Sequence, residues 1–567
     1  WTSDNRGDDW TALSGDLTRN QNRLELPIMG RQQSFDNAWD LYAMSTFNTL
    51  TSIAESPVQK DLLYVGTDDG LIHVSENGGE EWTKIEVSNL PDCPPRAYVN
   101  DIKADLFDAS TVYVALDNHK EGDYRPMLYK STNMGKSWKK ITDGLETPNF
   151  VWRIVQDHEN PNLFFLGTEF GLYFSQDGGQ QWIQLKGGLP MISFRDLSIH
   201  RRDNDLVLAS FGRSFYVFDD IEIFRKIDEE QLEKDAAFLT AGDAYWYHPR
   251  PDLSFSKGPG YQGAAHYVAE NPPHGASFTY YLKDGLQQPS KERSKEETKA
   301  DTSGTDIPFP GWDALDAEMS NPEDQVWIQI ENQNGEIIRT IKGPAQKGFH
   351  RITWDMHYPS PNTVNDKSKG NRKGLLAAPG SYRATMYLDL DGKLTPVGEP
   401  LTFELKPLHE PSIERYSTDE VSSFWRKYES TVRKYSDLSY QLRRLDNNLD
   451  ALMNGIEQSR GNMVELRRQH AELALKAQVL KKDFSGSPAK REIGEKTKPT
   501  LGGRIYSVSS SISRSTYGPT DTNLEMMDII QRDLEKLEDQ LSNIEKEIET
   551  LTEQVSSSGG PIIQIDN

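Results

Sequence analysis

Short apolar runs separated by small polar turn residues fill the N-terminal part of the chain. Residues 64–74 (YVGTDDGLIHV) and 165–174 (FLGTEFGLYF) each read as strand, Gly-Thr-x-x-Gly-Leu turn, strand. Two β-rich runs around so short a glycine-containing turn predict a hairpin. Residues 112–130 make a longer approach with a polar insertion near 118–124, and residues 208–220 (LASFGRSFYVFDD) repeat the hairpin in degenerate form. Residues 225–244 then read as a polar, helical connector. From 245 to 408 the β-type pattern returns: 326–330, an Asn334-Gly335 turn, 337–341, 348–355, 378–388, an Asp391-Gly392 turn and 401–405. Asn-Gly between two such runs is a strong hairpin signal. This region opens at 267–282 with turn signals ahead of an aromatic strand. Within it, residues 286–306 carry the charge run KERSKEETK and no core-forming pattern, which predicts a solvated loop.

The last part, 409–567, is periodic at three and four. Ser417-Thr418-Asp419-Glu420 fits a capping box. Tyr435, Leu438, Leu442, Leu445, Leu449, Leu452 and Ile456 follow. A second helix over 464–482 carries Leu466, Leu473 and Leu480. A third, after Thr522-x-x-Glu525, carries Ile530, Leu534, Leu537, Leu541, Ile544, Ile548, Leu551 and Val555. Sustained 3-4 alternation is the signature of a coiled-coil seam. A Gly/Ser/Lys-rich link, 485–523, separates the second and third helices. An intramolecular hairpin or three-helix bundle explains the pattern, and helix-mediated self-association is the alternative.

Across the N-terminal hairpins runs a repeated octad, Ser-x-Asn/Asp-x-Gly-x-x-Trp. Its copies are Ser3, Asn5, Gly7 and Trp10; Ser75, Asn77, Gly79 and Trp82; Ser131, Asn133, Gly135 and Trp138; Ser175, Asp177, Gly179 and Trp182. The Asn or Asp can bond its own backbone in an Asx-turn. The glycine suits a left-handed position, and the Trp can plug the turn as it enters the next strand. A repeated unit of this kind buries its apolar face only by stacking on its neighbours. From Ser3 to Ser75, Ser131 and Ser175 the steps are 72, 56 and 44 residues, compatible with four-stranded units of roughly 40–50 residues plus insertions.

This octad resembles the Asp-box, or BNR repeat, of sialidases, xyloglucanases and sortilin-type β-propellers. The resemblance implies a partial propeller over 1–224. It also implies that the boxes close the outer hairpin of each blade, away from the active face, so their role is structural. Because Trp1 lies at the edge of a box, this reading begins inside a blade, with further blades preceding it or belonging to a separate chain. Residues 245–408 resemble the Ig-like sandwich of flagellar hook-cap proteins, where Trp-Asp after a Gly and Pro-Gly-x-Tyr recur. Here these are Trp354, Asp355, Pro379, Gly380 and Tyr382. Some BNR-repeat, glycosyl-hydrolase-like proteins place a propeller, a sandwich and a terminal helical segment in this order. The expected fold is therefore multidomain and mainly β, with a C-terminal helical hairpin or bundle.

Composition narrows the function. At 567 residues several domains are expected. A net charge of −24 argues against nucleic acid or an anionic membrane as the main partner. The single cysteine, Cys93, excludes an internal disulfide framework. No apolar run approaches the roughly 18 residues of a membrane span. There is no P-loop, HExxH or paired cysteine, and His73, His119, His158, His200, His266, His274, His350 and His357 are scattered. No cofactor or metal is expected. The family resemblance favours an exported protein: periplasmic, outer-membrane-associated or extracellular.

Three functions follow from that resemblance. The first is an envelope binding or scaffold protein with a protein or carbohydrate partner. The second is a glycoside hydrolase acting through carboxylates at the propeller axis. Such chemistry needs two carboxylates flanking a sugar bond; the nearest candidates are Asp68, Asp69 and Glu169 at hairpin turns. A sialidase would add an arginine cluster, for which the propeller offers Arg96, Arg125, Arg153, Arg195 and Arg213. The third is sortilin-like peptide binding in the propeller tunnel. Arg213 is also a binding candidate, since a Gly-Arg-Gly-like turn follows this strand in related propellers; here Ser214 replaces the final glycine.

Overall fold

The Gly-Thr-x-x-Gly-Leu pattern forms hairpins that assemble into a row of antiparallel sheets. The computed structural model describes residues 1–28, 30–34, 47–249, 269–286, 289–320, 323–362, 364, 373–390, 392–410, 416–513 and 515–563. His266, Tyr267 and Asp391 lie outside them. The chain divides into two compact units, Trp1–Asp228 and Glu229–Asn567.

The first unit begins with an isolated bridge between Thr2 and Thr11 and a short pair, β1 (Pro27–Ile28) with β2 (Arg31–Gln32). Four meandering blades follow. Blade I contains β3 (Leu50–Glu55), β4 (Leu63–Thr67), β5 (Leu71–Ser75) and β6 (Thr83–Glu86). Blade II contains β7 (Tyr98–Ala104), β8 (Val112–Asn118), β9 (Asp123–Ser131) and β10 (Lys139–Lys140). Blade III contains β11 (Val151–Gln156), β12 (Phe164–Thr168), β13 (Gly171–Ser175) and β14 (Ile183–Leu185). Blade IV has three strands, β15 (Phe194–His200), β16 (Asp205–Ser210) and β17 (Phe215–Phe218).

Packing explains why these strands read as nearly continuous apolar runs. The first strands of successive blades, β3, β7, β11 and β15, pack against one another. One face of blade I joins blade II in a core that includes Tyr64, Ile72, Val99 and Ile102. The other face of blade II meets blade III through Tyr113, Leu128, Ile154 and Phe164. Phe165, Leu172, Phe194 and Leu208 link blades III and IV. Sheets buried on both faces and stacked through their first strands are the arrangement of propeller blades.

The octads form one recurring turn. The serine hydroxyl donates to the Asn or Asp Oδ1 at 3.0, 3.0, 2.9 and 2.6 Å in chain order. It also accepts from the glycine N–H at 2.7, 2.8, 2.9 and 2.9 Å. Each glycine has a positive φ, between 83° and 96°. The turns also register the blades. A Cβ on Gly79, Gly135 or Gly179 would come within 2.5, 2.7 or 3.0 Å of Leu13 Cγ, Ile85 Cδ1 or Ile141 Cδ1 respectively. Each of those apolar residues stands third after the Trp of the preceding octad.

In the second unit, α2 (Glu229–Glu233) follows α1 (Ile223–Lys226) of the first. A three-stranded sheet pairs β18 (Ala236–Ala241), β20 (Ala276–Leu282) and β23 (Gly348–Trp354). A larger sheet contains β19 (Ala244–Trp246), β21 (Gln325–Asn332), β22 (Ile337–Gly343), β26 (Gly380–Leu390), β27 (Lys393–Pro396) and β28 (Leu401–Pro407). β24 (His357–Pro359) pairs with β25 (Lys373–Leu376). The Asn334-Gly335 turn joins β21 and β22, with Gly335 at φ 77°. Phe278 and Phe403 rings, 5.3 Å apart, bring the two sheets together.

Three segments differ from their sequence reading; one is the Gly/Ser/Lys-rich link 485–523, which contains helices at Pro488–Glu492 and Leu501–Ile512. Residues 225–244, read as a helical connector, contain β18 as well as short helices. Residues 286–306, read as a loop, contain the helix α3 (Pro289–Ser303), followed by α4 (Trp312–Ser320). The charge run still determines its exposure, because α3 has no apolar face. Arg293 holds it through Glu297 at 2.9 Å and Glu318 at 2.8 Å.

The helical part comprises α5 (Thr418–Glu457), α6 (Met463–Ser485), α7 (Pro488–Glu492), α8 (Leu501–Ile512) and α9 (Asp521–Ser557). Ser417 and Glu420 complete the capping box. The last helix is capped by Thr520, not Thr522: its side chain accepts from Asn523 N. The Leu/Ile seam of α9 is buried within the same chain, where α9 packs on α5, α6 and α8. Trp246 and Trp425 rings, 6.5 Å apart, tie β19 to α5, so sheets and helices share one core.

Candidate functional site

The blade meander separates two ends of the first unit. Leu50 pairs with Thr67, Tyr98 with Asp117, Val151 with Thr168 and Phe194 with Ser210. The start of each first strand therefore lies beside the turn joining the second and third strands. Ser75, Ser131 and Ser175 pair instead with Leu63, Val112 and Phe164, at the opposite end. Asp68, Asp69, Glu169 and Arg213 thus lie at the end away from the octads.

At that end each first strand slips register at the same place: between Leu50 and Ser52, Val99 and Asp101, Val151 and Arg153, and Phe194 and Asp196. A bulge re-aims a side chain. The intervening residues are Thr51, Asn100, Trp152 and Arg195. Thr51 Oγ1 donates to Val99 O at 2.7 Å and Asn100 Nδ2 to Val151 O at 2.8 Å, each reaching the next blade.

Trp152 and Arg195 build the centre of the rim. The Arg195 guanidinium carbon lies 3.5 Å from the Trp152 ring centre and 4.9 Å from that of Phe211. Trp152 Nε1 donates to Glu169 Oε2 at 2.9 Å, and Arg195 Nη2 lies 3.6 Å from the same oxygen. Ser193 Oγ accepts from Arg195 Nε at 2.9 Å. Phe150 meets Trp152 edge-on at 5.0 Å and stacks on His119 at 5.2 Å. His119 Nδ1 in turn contacts the Asp117 carboxylate. Nearby, Lys120 Nζ lies 5.2 Å from the Tyr98 ring centre. Aromatic faces bordered by fixed charges suit recognition of a ligand with both apolar and polar surface.

Burial sets the electrostatics. It lowers the Arg195 pKa from its ordinary value, against the opposing pull of Glu169 and Asp117. Arginine nevertheless stays charged at physiological pH. Burial also lowers Lys120, opposed by Asp117 and Asp68. Tyr98 is raised by burial and by the Asp68 and Asp117 charges.

The three candidate carboxylates already have internal partners. Asp68 accepts Thr49 N at 2.8 Å and Thr49 Oγ1 at 2.9 Å. Burial raises its pKa, with the Thr49 bonds opposing. Asp69 accepts Arg19 N and Thr67 Oγ1, both at 2.6 Å, and is fully buried. Glu169 is held by Trp152 and Arg195. These bonds hold turns and orient the rim.

The arginines do not form one cluster. Arg153 bridges blades, with Nη1 3.1 Å from Asp101 and Nε 3.2 Å from Asp196. Arg96 lies 3.8 Å from Glu121, and Arg125 pairs with Asp123 at 2.7 Å. Arg213 is exposed in the β16–β17 turn. Of the five, Arg195 joins the aromatic rim. Sequence reading does not single out Trp152, Phe150 or Asp117; the available signal was an aromatic pair at a first-strand start facing the Glu169 turn.

The octads are remote from this rim by topology. Trp182 is buried and donates to Ile141 O at 2.9 Å; Trp82 and Trp138 are half-buried and Trp10 is exposed. His200, Asp203 and Asp205 bring ligand-type atoms within 4.8 Å of one another at the β15–β16 turn. Arg202 pairs with Asp203 at 2.8 Å, and Asp205 accepts Asp220 N at 3.0 Å. Among the described residues, no helix is long and apolar enough to cross a membrane.

No family model matches the chain, and no curated protein matches it. Among solved structures it is similar to YCF48 bound to D1 peptide, at 14% identity over 35% of this chain and 59% of that one, with a TM-score of 0.24. It is similar to an ancestral GH74 enzyme at 14% identity, over 62% and 49% of the two chains, with a TM-score of 0.27. The GH74 xyloglucanase from Xanthomonas campestris gives 13% identity over 61% and 45%, with a TM-score of 0.25. In each case the chain spans less than two thirds of the structure it resembles.

Proposed function

We propose that the first unit is a non-catalytic recognition module of the BNR/Asp-box propeller type, in an exported envelope or extracellular protein. Its ligand, a protein segment or a carbohydrate, sits against the rim opposite the octads. The observation carrying this reading is the Phe211–Arg195–Trp152 stack anchored on Glu169. It offers an exposed aromatic face beside a fixed cation, whereas Asp68, Asp69 and Glu169 are bonded internally. The second unit, read as an Ig-like sandwich with its helical bundle, serves assembly.

Glycoside hydrolysis is the second reading. It is favoured by the raised pKa of Asp68, which suits a general acid. A peptide and polysaccharide array probed with the native chain and with Phe211→Ala and Trp152→Ala variants tests the first reading. Binding lost in both variants, with an unchanged fold, supports it. Binding that is indifferent to both places the site elsewhere.

A further inference from the structure

The first strands of blades II–IV end beside the octads, at the end opposite the aromatic rim. Aligned on the bulge, Val99, Val151 and Phe194 are equivalent, and so are Ala104, Gln156 and Ile199 at these strand ends. Two residues further on stand Leu106, His158 and Arg201. Blade II closes this turn with a leucine. The basic side chains of blades III and IV are therefore not required by the turn itself.

A cavity of about 350 Å³ lies between these strand ends, within the range of small-molecule sites, roughly 300–1,000 Å³. One side of its lining is apolar, formed by the buried Tyr113, Ile154, Phe164 and Leu197. The other carries Lys103 of β7, His158 just after β11, Ser198 of β15 and Arg201 just after it. Among the described lining residues there is no carboxylate. The lining is thus locally positive in a chain whose net charge is −24.

The carboxylates around it are engaged elsewhere. Asp105 accepts Tyr113 Oη at 3.0 Å and Gln156 Nε2 at 2.9 Å. Asp157 and Glu159 hold Arg225, at 2.7 and 2.9 Å. Asp101 pairs with Arg153 and accepts Ile154 N, both at 3.1 Å, and reaches Lys103 only at 3.6 Å. Asp203 is taken by His200 and Arg202, at 3.1 and 2.8 Å. His158 lies 3.4 Å from Asp157 and 3.5 Å from Glu159, and its buried Nδ1 has no hydrogen-bond partner among the described residues. Arg201 is exposed and has no ion pair or hydrogen bond among the described residues. Cations that lack a counterion, set beside an apolar wall, are complemented by an anion.

We infer that this cavity binds a small organic anion, a carboxylate or phosphate carried on a compact apolar body. The body lies against Ile154, Phe164 and Leu197. The head group meets Arg201, whose planar fork matches either oxyanion, and Lys103, which acts as a point charge. The Ser198 hydroxyl is a further donor beside them. The site is separate from the Trp152–Arg195 rim, because the two occupy opposite ends of the first strands.

Calorimetric titration of the full chain with benzoate and with phenyl phosphate, each compared with neutral benzamide, tests this. The expected result is saturable binding of at least one anion, weaker as salt rises, and none of benzamide. Arg201→Gln removes an exposed side chain with no partner to lose. It should weaken anion binding by about tenfold or more, with unchanged circular dichroism, and Lys103→Gln should weaken it too. A native chain that binds neither anion would overturn the proposal. So would benzamide bound as tightly as the anions, or anion binding indifferent to both substitutions. Binding lost in Phe211→Ala but kept in Arg201→Gln would place the probe on the opposite rim and overturn it as well.

Discussion

Arg195 Nη2 and Trp152 Nε1 converge on one oxygen, Glu169 Oε2, at 3.6 and 2.9 Å. The guanidinium is thereby fixed over the indole by a carboxylate from a neighbouring blade. Arg195→Ala should lower stability by about 0.5–2 kcal/mol, the usual range for a cation–π contact. Arg195→Lys should restore little of it, because a compact ammonium lacks the planar fork. Urea unfolding of the variants measures both. An Arg195→Lys chain as stable as the native one would contradict the role given to the stack.

The octad turns should respond in proportion to burial. Ser175→Ala removes a buried hydroxyl that both donates and accepts, and should cost about 1–2 kcal/mol. The half-buried Ser3 makes the same bonds, and Ser3→Ala should cost less than Ser175→Ala. Gly135→Ala should cost more than Gly7→Ala. Both have positive φ, but a Cβ on Gly135 would meet Ile85 of the neighbouring blade at 2.7 Å, whereas one on Gly7 would meet only its own Trp10, at 3.7 Å. Thermal melts of the four variants give the ranking.

The repeat was legible because its physics is local. Ser, Asn/Asp, Gly and Trp each do a short-range job, so the turn could be read from eight residues. The 3-4 seam of α9 was legible for the same reason. α8 was not: Gly502, Gly503 and the serine run around 509–511 mask Leu501, Ile505, Val508 and Ile512, which are buried by tertiary packing. The rim was partly legible. Glu169 and Arg195 were candidates for other reasons, but the meeting of Trp152, Arg195 and Phe211 depends on two blades and a bulge. No spacing along the chain encodes that.

Acid should loosen the first unit through Asp157. Burial alone would raise its carboxyl, but the Arg225 guanidinium at 2.7 Å and the Asn160 N–H prevail and hold it below the ordinary value. Because the folded pKa is depressed, this contribution is present above the unfolded pKa of about 4 and is lost as pH falls through the folded one. Asp157→Asn should reduce stability at neutral pH and flatten the acid side of the stability curve. Chemical unfolding from neutral pH down to pH 3 checks it; parallel curves would contradict the assignment.

The helical seam should behave as an intramolecular core. Leu534 is buried, whereas Val464 is exposed at the start of α6. Leu534→Ala should cost about 2–5 kcal/mol, as for other buried leucines, and leave the molecular mass unchanged. Val464→Ala should be nearly neutral. A change in mass with Leu534→Ala would assign the seam to association instead.

Recognition without chemistry is the central claim. Its most direct test is to measure binding and reducing-sugar release together, across a polysaccharide and peptide panel, for the native chain and for Phe211→Ala, Asp68→Asn and Glu169→Gln. The account predicts binding that Phe211→Ala abolishes, with no sugar released by any chain. Sugar release by the native chain that disappears in Asp68→Asn or Glu169→Gln would contradict it and make the rim a hydrolase site.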